Sequence, residues 1–264
     1  MPGPQFSQFL IGGLLGLLVA AFSYAVRFLT LSGSIATFFL ALVVYGCGGW
    51  VWTVPIVTFF VTSSVLSKIG RRKKAEYDQL FEKAGARDWA QVAANGGIAG
   101  VFALLTLVVP EGQLYPVYLG AVAAAAADTW GTEIGVLSKQ RVFSVVTFGQ
   151  VPAGTSGGVT VAGTLGGAVG AVCVALSGFA WYGDIMTAFL VVIAGIVGSV
   201  ADSVIGGTLQ ARFRCTECGR MTERTEHCSR ACLHVGGVRW LRNDAVNVLC
   251  TLVGGLIIWG IRYL

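Results

Sequence analysis

Long apolar runs follow one another along the chain and are separated by short polar segments. Eight runs are long enough, or nearly so, to cross about 30 Å of hydrocarbon. They span residues 9–27, 32–47, 50–67, 92–109, 114–137, 159–177, 185–206 and 244–262. The pattern predicts an all-α integral membrane protein with about eight transmembrane helices, in which residues 1–264 form a single helical domain.

The composition agrees with a membrane protein. Hydrophobic residues make up 55% of the chain and charged residues only 12%, whereas soluble domains carry about 25% charged residues. The 37 glycines and the many alanines suit close packing between helices, because small residues let two backbones approach each other.

The cationic residues predict the orientation, since lysine and arginine in short loops stay on the cytoplasmic side. With eight spans and both termini outside, 17 of the 18 lysines and arginines fall inside and only Arg262 falls outside. The inside set is Arg27, Lys68, Arg71, Arg72, Lys73, Lys74, Lys83, Arg87, Lys139, Arg141, and the seven arginines between 212 and 242. Topology and attraction to anionic lipid headgroups explain the net charge of +5. No basic-aromatic pattern points to nucleic acid as a partner.

Acidic residues within or next to the predicted spans are the first candidates for chemistry, because a carboxylate in the bilayer is costly and usually faces a cavity or a partner. They are Asp128, Glu133, Asp202 and Asp244. Asp128 and Thr132 share one helix face, and Thr129 and Glu133 share another. Since both faces cannot meet lipid, this helix is expected to lie at the centre of the bundle or to break near Gly131.

The segments around Asp128 and Asp202 resemble each other, with Ala-Asp-Thr at 127–129 and Ala-Asp-Ser at 201–203. Many transporters are built from internal repeats that meet at the substrate site. This weak repeat is compatible with a transporter and with an enzyme.

A glycine-rich segment, QVPAGTSGGVTVAGTLGG at residues 150–167, lies between the two acidic segments and opens a predicted span. Its glycines would allow close backbone approach, and Thr155, Ser156 and Thr160 offer hydroxyl donors. The helix N-terminus that follows suits a phosphate group. It is not a Walker A loop, because the lysine-threonine ending is absent. The alternative is a flexible turn followed by a helix that packs through small residues.

Carboxylates at the cytoplasmic ends of spans suit Mg²⁺, which uses one or two carboxylates together with substrate phosphates. Such a site could take a nucleotide from the cytosol and a lipid phosphate from the bilayer. Lys139 and Arg141, which follow the first acidic helix, could neutralise a transferring phosphate. Their alternative role is the ordinary positive charge of a cytoplasmic loop.

Five segments resemble a known family, the multi-span membrane proteins that include transmembrane protein 19 and the phytyl-phosphate kinases. They are FFVTSSVLSKIG (59–70), AAADTWGTEIGVLSK (125–139), VPAGTSGGVT (151–160), GSVADSVIGGTLQARFRC (198–215) and WLRNDAVNVL (240–249). The resemblance covers nearly the whole chain. It extends more distantly to dolichol kinase and other CTP-using lipid enzymes.

The resemblance implies phosphorylation of a prenyl monophosphate to its diphosphate by a nucleoside triphosphate, with CTP favoured. It implies that Asp128, Glu133, Asp202 and Asp244 lie at the metal and nucleotide site as Mg²⁺ ligands, that Gly154, Thr155, Ser156, Gly157 and Gly158 lie near the phosphates, and that Asn243 and Asn247 flank them. With the residues read from charge and hydroxyl chemistry added, the predicted catalytic set is Asp128, Glu133, Asp202 and Lys139, and Thr160 and Arg141 join the predicted nucleotide-binding residues.

Residues 208–242 are predicted to form a cytosolic cysteine-rich insertion that holds four of the seven cysteines and both histidines. Cys215 and Cys218 stand in a C-x-x-C-G knuckle that is typical of zinc sites. Cys228 together with Cys232 could complete a tetrahedral site, and His227 or His234 could take the place of Cys232. A cytosolic location argues against disulfides. The alternative to structural zinc is a reduced loop without metal.

The leading hypothesis is thus a CTP-dependent kinase acting on a lipid phosphate. A secondary transporter that uses the acids as ion or proton ligands is the alternative, and a membrane scaffold whose zinc loop binds a partner is a third hypothesis. The glycine-rich loop favours the enzyme and the internal repeat favours the transporter.

Overall fold

Seven helices make up most of the part of the protein that the structure describes. The computed structural model describes residues 6–70, 82–83 and 85–263, without the side chains of Glu111 and Tyr263. The helices are α1 (Phe6–Ala25), α2 (Leu31–Lys68), α3 (Trp89–Leu105), α4 (Glu111–Ser138), α5 (Val161–Tyr182), α6 (Ile185–Thr208) and α7 (Asn243–Tyr263). They coincide closely with the predicted apolar runs. The basic residues at 71–74 lie outside the described residues.

Helix α2 reverses direction at Gly49, which has φ 59° and ψ −151°. A straight helix of its 38 residues would be about 57 Å long, yet its last residue lies close to the segment just before its first residue. The amide of Thr30, just before the helix, donates to the carbonyl of Arg87 at 3.0 Å. Lys68, at the other end, donates through Nζ to the carbonyl of Arg27 at 2.9 Å. The predicted runs 32–47 and 50–67 are therefore separate helical segments. They are joined at Gly49, whose backbone conformation is easily adopted only by glycine.

The chain is an integral membrane protein with five candidate apolar spans among the described residues, judged by length and composition. These are α1, α2, α5, α6 and the part of α7 from Asn243 to Arg262, while α3 is a shorter apolar helix. With α2 divided at Gly49, the part of the chain that the structure describes holds eight helical segments. Eight membrane crossings stay a prediction.

Helix α4 lies at the centre of the bundle, as expected from its two acidic faces. Every residue from Leu114 to Ala127 is buried, and α4 contacts α2, α3, α5, α6 and α7. The helix also continues through Gly131 without a break and ends at Ser138, where Lys139 adopts a left-handed conformation with φ 53°. Central packing therefore brings Asp128 inside the bundle, one residue beyond the fully buried stretch.

Helix α5 approaches α4 through a stripe of glycines. A Cβ atom on Gly163 would lie 2.7 Å from the carbonyl oxygen of Gly131, and one on Gly167 would lie 2.6 Å from that of Ala127. Neither distance is available to a real side chain, so the two backbones touch. This close crossing fixes the N-terminus of α5 beside Asp128. It also fixes the part of the glycine-rich segment that precedes the helix, residues 150–160, which is called the glycine-rich loop below.

The expectation of an all-α chain was wrong in two loops, which form small antiparallel sheets. Strands β1 (Val142–Ser144), β2 (Gln150–Val151) and β3 (Gly158–Val159) form one sheet in the order β2-β1-β3. Strands β4 (Arg212–Cys215), β5 (Met221–Thr222), β6 (Glu226–His227) and β7 (Arg230–Gly236) form the other in the order β5-β4-β7-β6. Most of these strands are shorter than the four to eight residues over which alternation becomes readable.

The basic segments gather at one end of the bundle. Residues 26–30 contact Lys68 and Arg87, and the insertion contacts both the glycine-rich loop and Glu82. Arg262 lies at the opposite end, 3.8 Å from Asp184 in the α5–α6 connection. This separation matches the distribution of charge from which the orientation was predicted, while the compartment that each end faces stays a prediction.

The orientation can be tested with protease-cleavage sequences inserted at two exposed positions. A site after Gly149, in the first sheet, should be cut only when the cytosolic face is accessible, because it lies at the basic end. A site after Gly183, in the α5–α6 turn, should be cut only from the other face. Western blotting of fragments from sealed right-side-out and inverted vesicles measures this. Cleavage after Gly149 in right-side-out vesicles would reverse the proposed orientation.

Candidate functional site

A cavity of about 200 Å³ lies where α4, α6, the glycine-rich loop and the cysteine-rich insertion meet. Ten of the residues singled out from the sequence line it. They are Asp128, Lys139, Gly154, Thr155, Ser156, Gly157, Gly158, Thr160, Asp202 and Asn243. The two segments with similar sequences thus contribute their aspartates to one cavity from different helices.

Three carboxyl groups line this cavity close enough for their charges to interact. Asp202 on α6 lies within range of the charges of Asp128 on α4 and Glu223 in the insertion. Within the described part of the chain, Asp202 Oδ2 is buried and has no hydrogen-bond partner. Of the described residues that line the cavity, Lys139 is the single basic one. Because close ionised carboxylates repel each other, a cation bound between them would stabilise their charged forms.

Glu223 is a residue that the sequence did not single out. It is 7% exposed, accepts a hydrogen bond from the Ser156 hydroxyl at 2.7 Å, and accepts another from the Glu82 amide at 3.2 Å. Burial raises the pKa of the Glu223 carboxyl, and the hydrogen bond from Ser156 opposes that increase. Its segment, Met-Thr-Glu-Arg-Thr, reads as an ordinary polar loop, so no local pattern could have revealed it.

The glycine-rich loop is an ordered turn packed on α6. A Cβ atom on Gly157, which has φ +74°, would lie 2.5 Å from the carbonyl oxygen of Ser203. The loop hydroxyls already have partners: Thr155 donates to the carbonyl of Pro152 at 2.7 Å, and Thr160 caps α5 by accepting from the amide of Gly163 at 2.9 Å. Packing on α6 therefore accounts for Gly157, and the N-terminus of α5 still opens into the cavity.

Four other predicted residues do not line the cavity. Glu133 lies within electrostatic range of Arg87 instead, on the face opposite to Asp128. Asp244 forms an ion pair with Lys83, with 2.5 Å between Oδ2 and Nζ. Arg141 is exposed, and Asn247 lies one turn beyond Asn243 along α7. The separation of Asp128 and Glu133 by five helical positions explains the first of these corrections, because it points them in different directions.

The remaining acids and the loop fit a magnesium ion bound together with a phosphate. Asp128 and Asp202 could supply carboxylate oxygens, and the unpartnered Oδ2 of Asp202 is an oxygen of the kind Mg²⁺ prefers. Mg²⁺ usually takes only one or two carboxylates and completes its octahedron with waters and substrate phosphates. The N-terminus of α5 would meet those phosphates with its amide dipoles.

A second cluster lies in the insertion, where Cys215, Cys218, His227 and Cys228 have ligand atoms within 4.8 Å of one another. His227 takes the place that the sequence favoured for Cys232. Cys232 pairs with Cys215 across β4 and β7, but its sulfur is outside the cluster. The backbone amide of Cys218 is the main cause that lowers the pKa of the Cys215 thiol to about 6. A thiolate is the form in which cysteine binds metal.

Comparison with known proteins gives a consistent family match. Residues 14–255 match the family described as "Integral membrane protein DUF92". Protein PGR of Arabidopsis thaliana is 31% identical over 277 residues, covering 95% of this chain and 94% of that protein. An uncharacterized membrane protein of Methanocaldococcus jannaschii is 30% identical and covers 82% and 78%. Protein VTE6, chloroplastic, of Arabidopsis thaliana is 24% identical and covers 87% and 64%. No solved structure gives a significant match.

Proposed function

Because the chain belongs to the DUF92 family of integral membrane proteins, which includes transmembrane protein 19 and the phytyl-phosphate kinases, we propose that it is a lipid-phosphate kinase. The family resemblance read from its motifs is thereby confirmed. The proposed reaction transfers the terminal phosphoryl group of a nucleoside triphosphate, with CTP favoured, to a prenyl monophosphate.

The observation that carries the proposal is the convergence of Asp128 and Asp202 with the glycine-rich loop in one cavity. The unpartnered oxygen of Asp202 supports a bound cation there. The loop and the start of α5 support a bound phosphate group beside it. A transporter would also use paired carboxylates, but it would not need the phosphate-binding character of the loop. The combination therefore favours the enzyme over the transporter.

Each lining group has a role in this reaction. Asp128 and Asp202 would hold Mg²⁺, which supplies neutralisation of the phosphate charge when bound. The glycine-rich loop would orient the nucleotide phosphates, and Lys139, which lies at the end of α4, would neutralise charge on the transferring group. Positioning and charge neutralisation account for most of the catalysis of phosphoryl transfer.

No histidine stands among the described residues that line the cavity, and a phosphate acceptor would not require one. An oxygen of the lipid monophosphate attacks the terminal phosphorus of the nucleotide, the bond to the bridging oxygen breaks, and the nucleoside diphosphate leaves. A phosphate monoester has a second pKa of about 6, so its attacking oxygen is already deprotonated at neutral pH. The reaction needs no general base.

The wall formed by α5 and α6 would give a lipid acceptor a route from the bilayer. Thr164 on α5 and Val200 on α6 line the cavity, and both are exposed. Ala168 and Ile196, which also line it, are half-buried. An apolar chain could rest along this wall while its phosphate reaches the acids.

The direct test uses purified protein in detergent or nanodiscs, CTP labelled at the terminal phosphate, Mg²⁺ and prenyl monophosphates of graded chain length. Label should appear in a prenyl diphosphate, and chelation of Mg²⁺ should abolish the transfer. Replacing CTP by ATP, GTP or UTP in parallel defines the donor. No transfer to any prenyl monophosphate, together with cation-dependent uptake of a solute by the same protein in liposomes, would replace the kinase with the transporter.

A further inference from the structure

The metal-ready cluster joins two hairpins of the insertion. Cys215 ends β4 and Cys218 lies in the turn before β5, so the first hairpin supplies two ligands. His227 lies in β6 and Cys228 in the turn before β7, so the second hairpin supplies the other two. An ion bound by all four residues would tie the two hairpins together.

The distances within the cluster suit tetrahedral zinc. Zinc–sulfur bonds of about 2.3 Å and zinc–nitrogen bonds of about 2.0 Å at a tetrahedral angle imply about 3.5 Å between a sulfur and a nitrogen ligand. The Nδ1 atom of His227 lies 3.5 Å from Cys218 Sγ and 3.2 Å from Cys228 Sγ. The amide of Glu217 also donates to Cys215 Sγ at 3.4 Å, as suits a thiolate. Four protein ligands leave no open position, which is the arrangement of a structural ion.

The link between the two hairpins carries Glu223 into the cavity. β5 ends at Thr222 and β6 begins at Glu226, so only three residues connect the hairpins. Within this link, Glu223 is buried and holds Ser156 of the glycine-rich loop by the 2.7 Å hydrogen bond. The amide of Cys232 donates to the carbonyl of Thr225 at 2.8 Å and fixes the other end of the link to β7.

The insertion has little apolar material to hold this arrangement by itself. Between residues 212 and 237, the buried apolar side chains are those of Phe213 and Cys215. Segments below about 40 residues usually require disulfides or a metal to become stable, and the cysteines here are free. A bound ion would hold together the two hairpins that flank Glu223 and so stabilise its position.

We propose that Cys215, Cys218, His227 and Cys228 bind a structural Zn²⁺, and that this ion holds Glu223 in place as a positioning residue for the glycine-rich loop. The positioning role rests on the proposed function, whereas zinc binding does not. Glu223 contacts the loop through Ser156. Removal of the Glu223 side chain should therefore change how the loop positions the nucleotide phosphates. The phosphate-binding loop would thus depend on a metal site in a different part of the sequence.

The metal is tested by elemental analysis of the purified full chain. About one zinc per chain is expected in the unmodified protein, with loss in Cys218→Ser and in Cys228→Ser. The matched control is Cys232→Ser, which removes a neighbouring thiol outside the cluster and should retain the ion. Absence of zinc from carefully prepared protein would overturn the site. Loss in Cys232→Ser with retention in His227→Ala would overturn the ligand set.

The coupling is tested by hydrogen–deuterium exchange of peptides covering residues 150–160. Exchange there should become faster in Cys218→Ser and in Glu223→Ala, and Glu223→Ala should keep its zinc. Glu226→Ala, which alters an exposed carboxylate in the next strand, is the control and should leave exchange unchanged. Unchanged exchange in Glu223→Ala would exclude the positioning role.

Turnover separates this inference from the proposed function. Glu223→Ala should lower phosphoryl transfer about 10–100-fold, which is the size of effect expected when a group that supports a site is removed. If the unmodified protein transfers no phosphate, the kinase proposal fails, while zinc content and exchange still decide the metal site and its contact with the loop. If transfer occurs and is the same in Glu223→Ala, the positioning role is wrong and the kinase stands.

Discussion

Asp202→Asn and Asp128→Asn should each reduce Mg²⁺-dependent phosphoryl transfer by about 10²–10³-fold, the effect typical of losing one positioned electrostatic group. The amide keeps the shape of the carboxylate but removes the charge that attracts the cation. At Asp202 Oδ2, which has no hydrogen-bond partner among the described residues, the substitution takes no acceptor away from a protein donor. We expect both variants to stay folded. Transfer rates at several Mg²⁺ concentrations, measured beside thermal unfolding in detergent, test this.

Asp244→Asn is the matched control, because the same substitution is made in an acid that the structure places in an ion pair with Lys83 at 2.5 Å. Removal of its charge leaves Lys83 with Asp88, at 2.7 Å, as its other partner. The expected result is a lower unfolding temperature with turnover per folded molecule retained. If Asp202→Asn behaved like this control, the two aspartates would be structural and the metal-binding assignment would be wrong.

The sequence was sufficient to predict the helices, because each apolar run is long and needs no partner to be recognised. It also predicted the reversal within α2, since the runs 32–47 and 50–67 are separated close to Gly49. The small sheets were missed for the opposite reason. Strands such as Met221–Thr222 exist through pairing with distant segments, and two residues carry no periodic signal.

The residues of the candidate site that could be predicted are those whose local sequence is unusual. Asp128 and Asp202 stood out through the cost of a charge within an apolar run. Glu223 carried no such signal, because an acid in a polar loop is ordinary until folding buries it. Asp244 and Glu133 carried the same signal, but the basic residues near them are distant in sequence: Lys83 forms an ion pair with Asp244, and Arg87 lies within electrostatic range of Glu133. Only the fold shows which acids are already paired.

The place of His227, rather than Cys232, in the cluster proposed to bind zinc also depended on the fold. Cys228 and Ser229 adopt left-handed conformations, with φ 52° and 55°, which turn the chain sharply after β6. That turn brings His227 and Cys228 to the same point. Cys232 lies in β7, opposite Cys215, and its spacing in sequence could not reveal where its side chain lies.

Of the variants proposed here, Gly167→Val should lower the free energy of unfolding most, because the crossing of α4 and α5 leaves no room for a side chain. The first added carbon would lie 2.6 Å from the carbonyl oxygen of Ala127, and this backbone atom cannot move without shifting α4. Overpacking usually costs about 1–3 kcal/mol, and a backbone contact should place this variant at or above the upper limit.

The same displacement should also reach the site, since Ala127 precedes Asp128 and α5 begins at the glycine-rich loop. A movement of about 1 Å can slow a reaction about 10²-fold, so Gly167→Val should lose turnover in the fraction that still folds. Gly97→Val is the control: it places the same side chain at a helical glycine where an added Cβ atom meets nothing within 4 Å. Thermal unfolding and turnover of both variants measure the difference. Equal losses in the two would mean that helix propensity, rather than the α4–α5 contact, determines the effect, and the close crossing would not be what holds the loop beside Asp128.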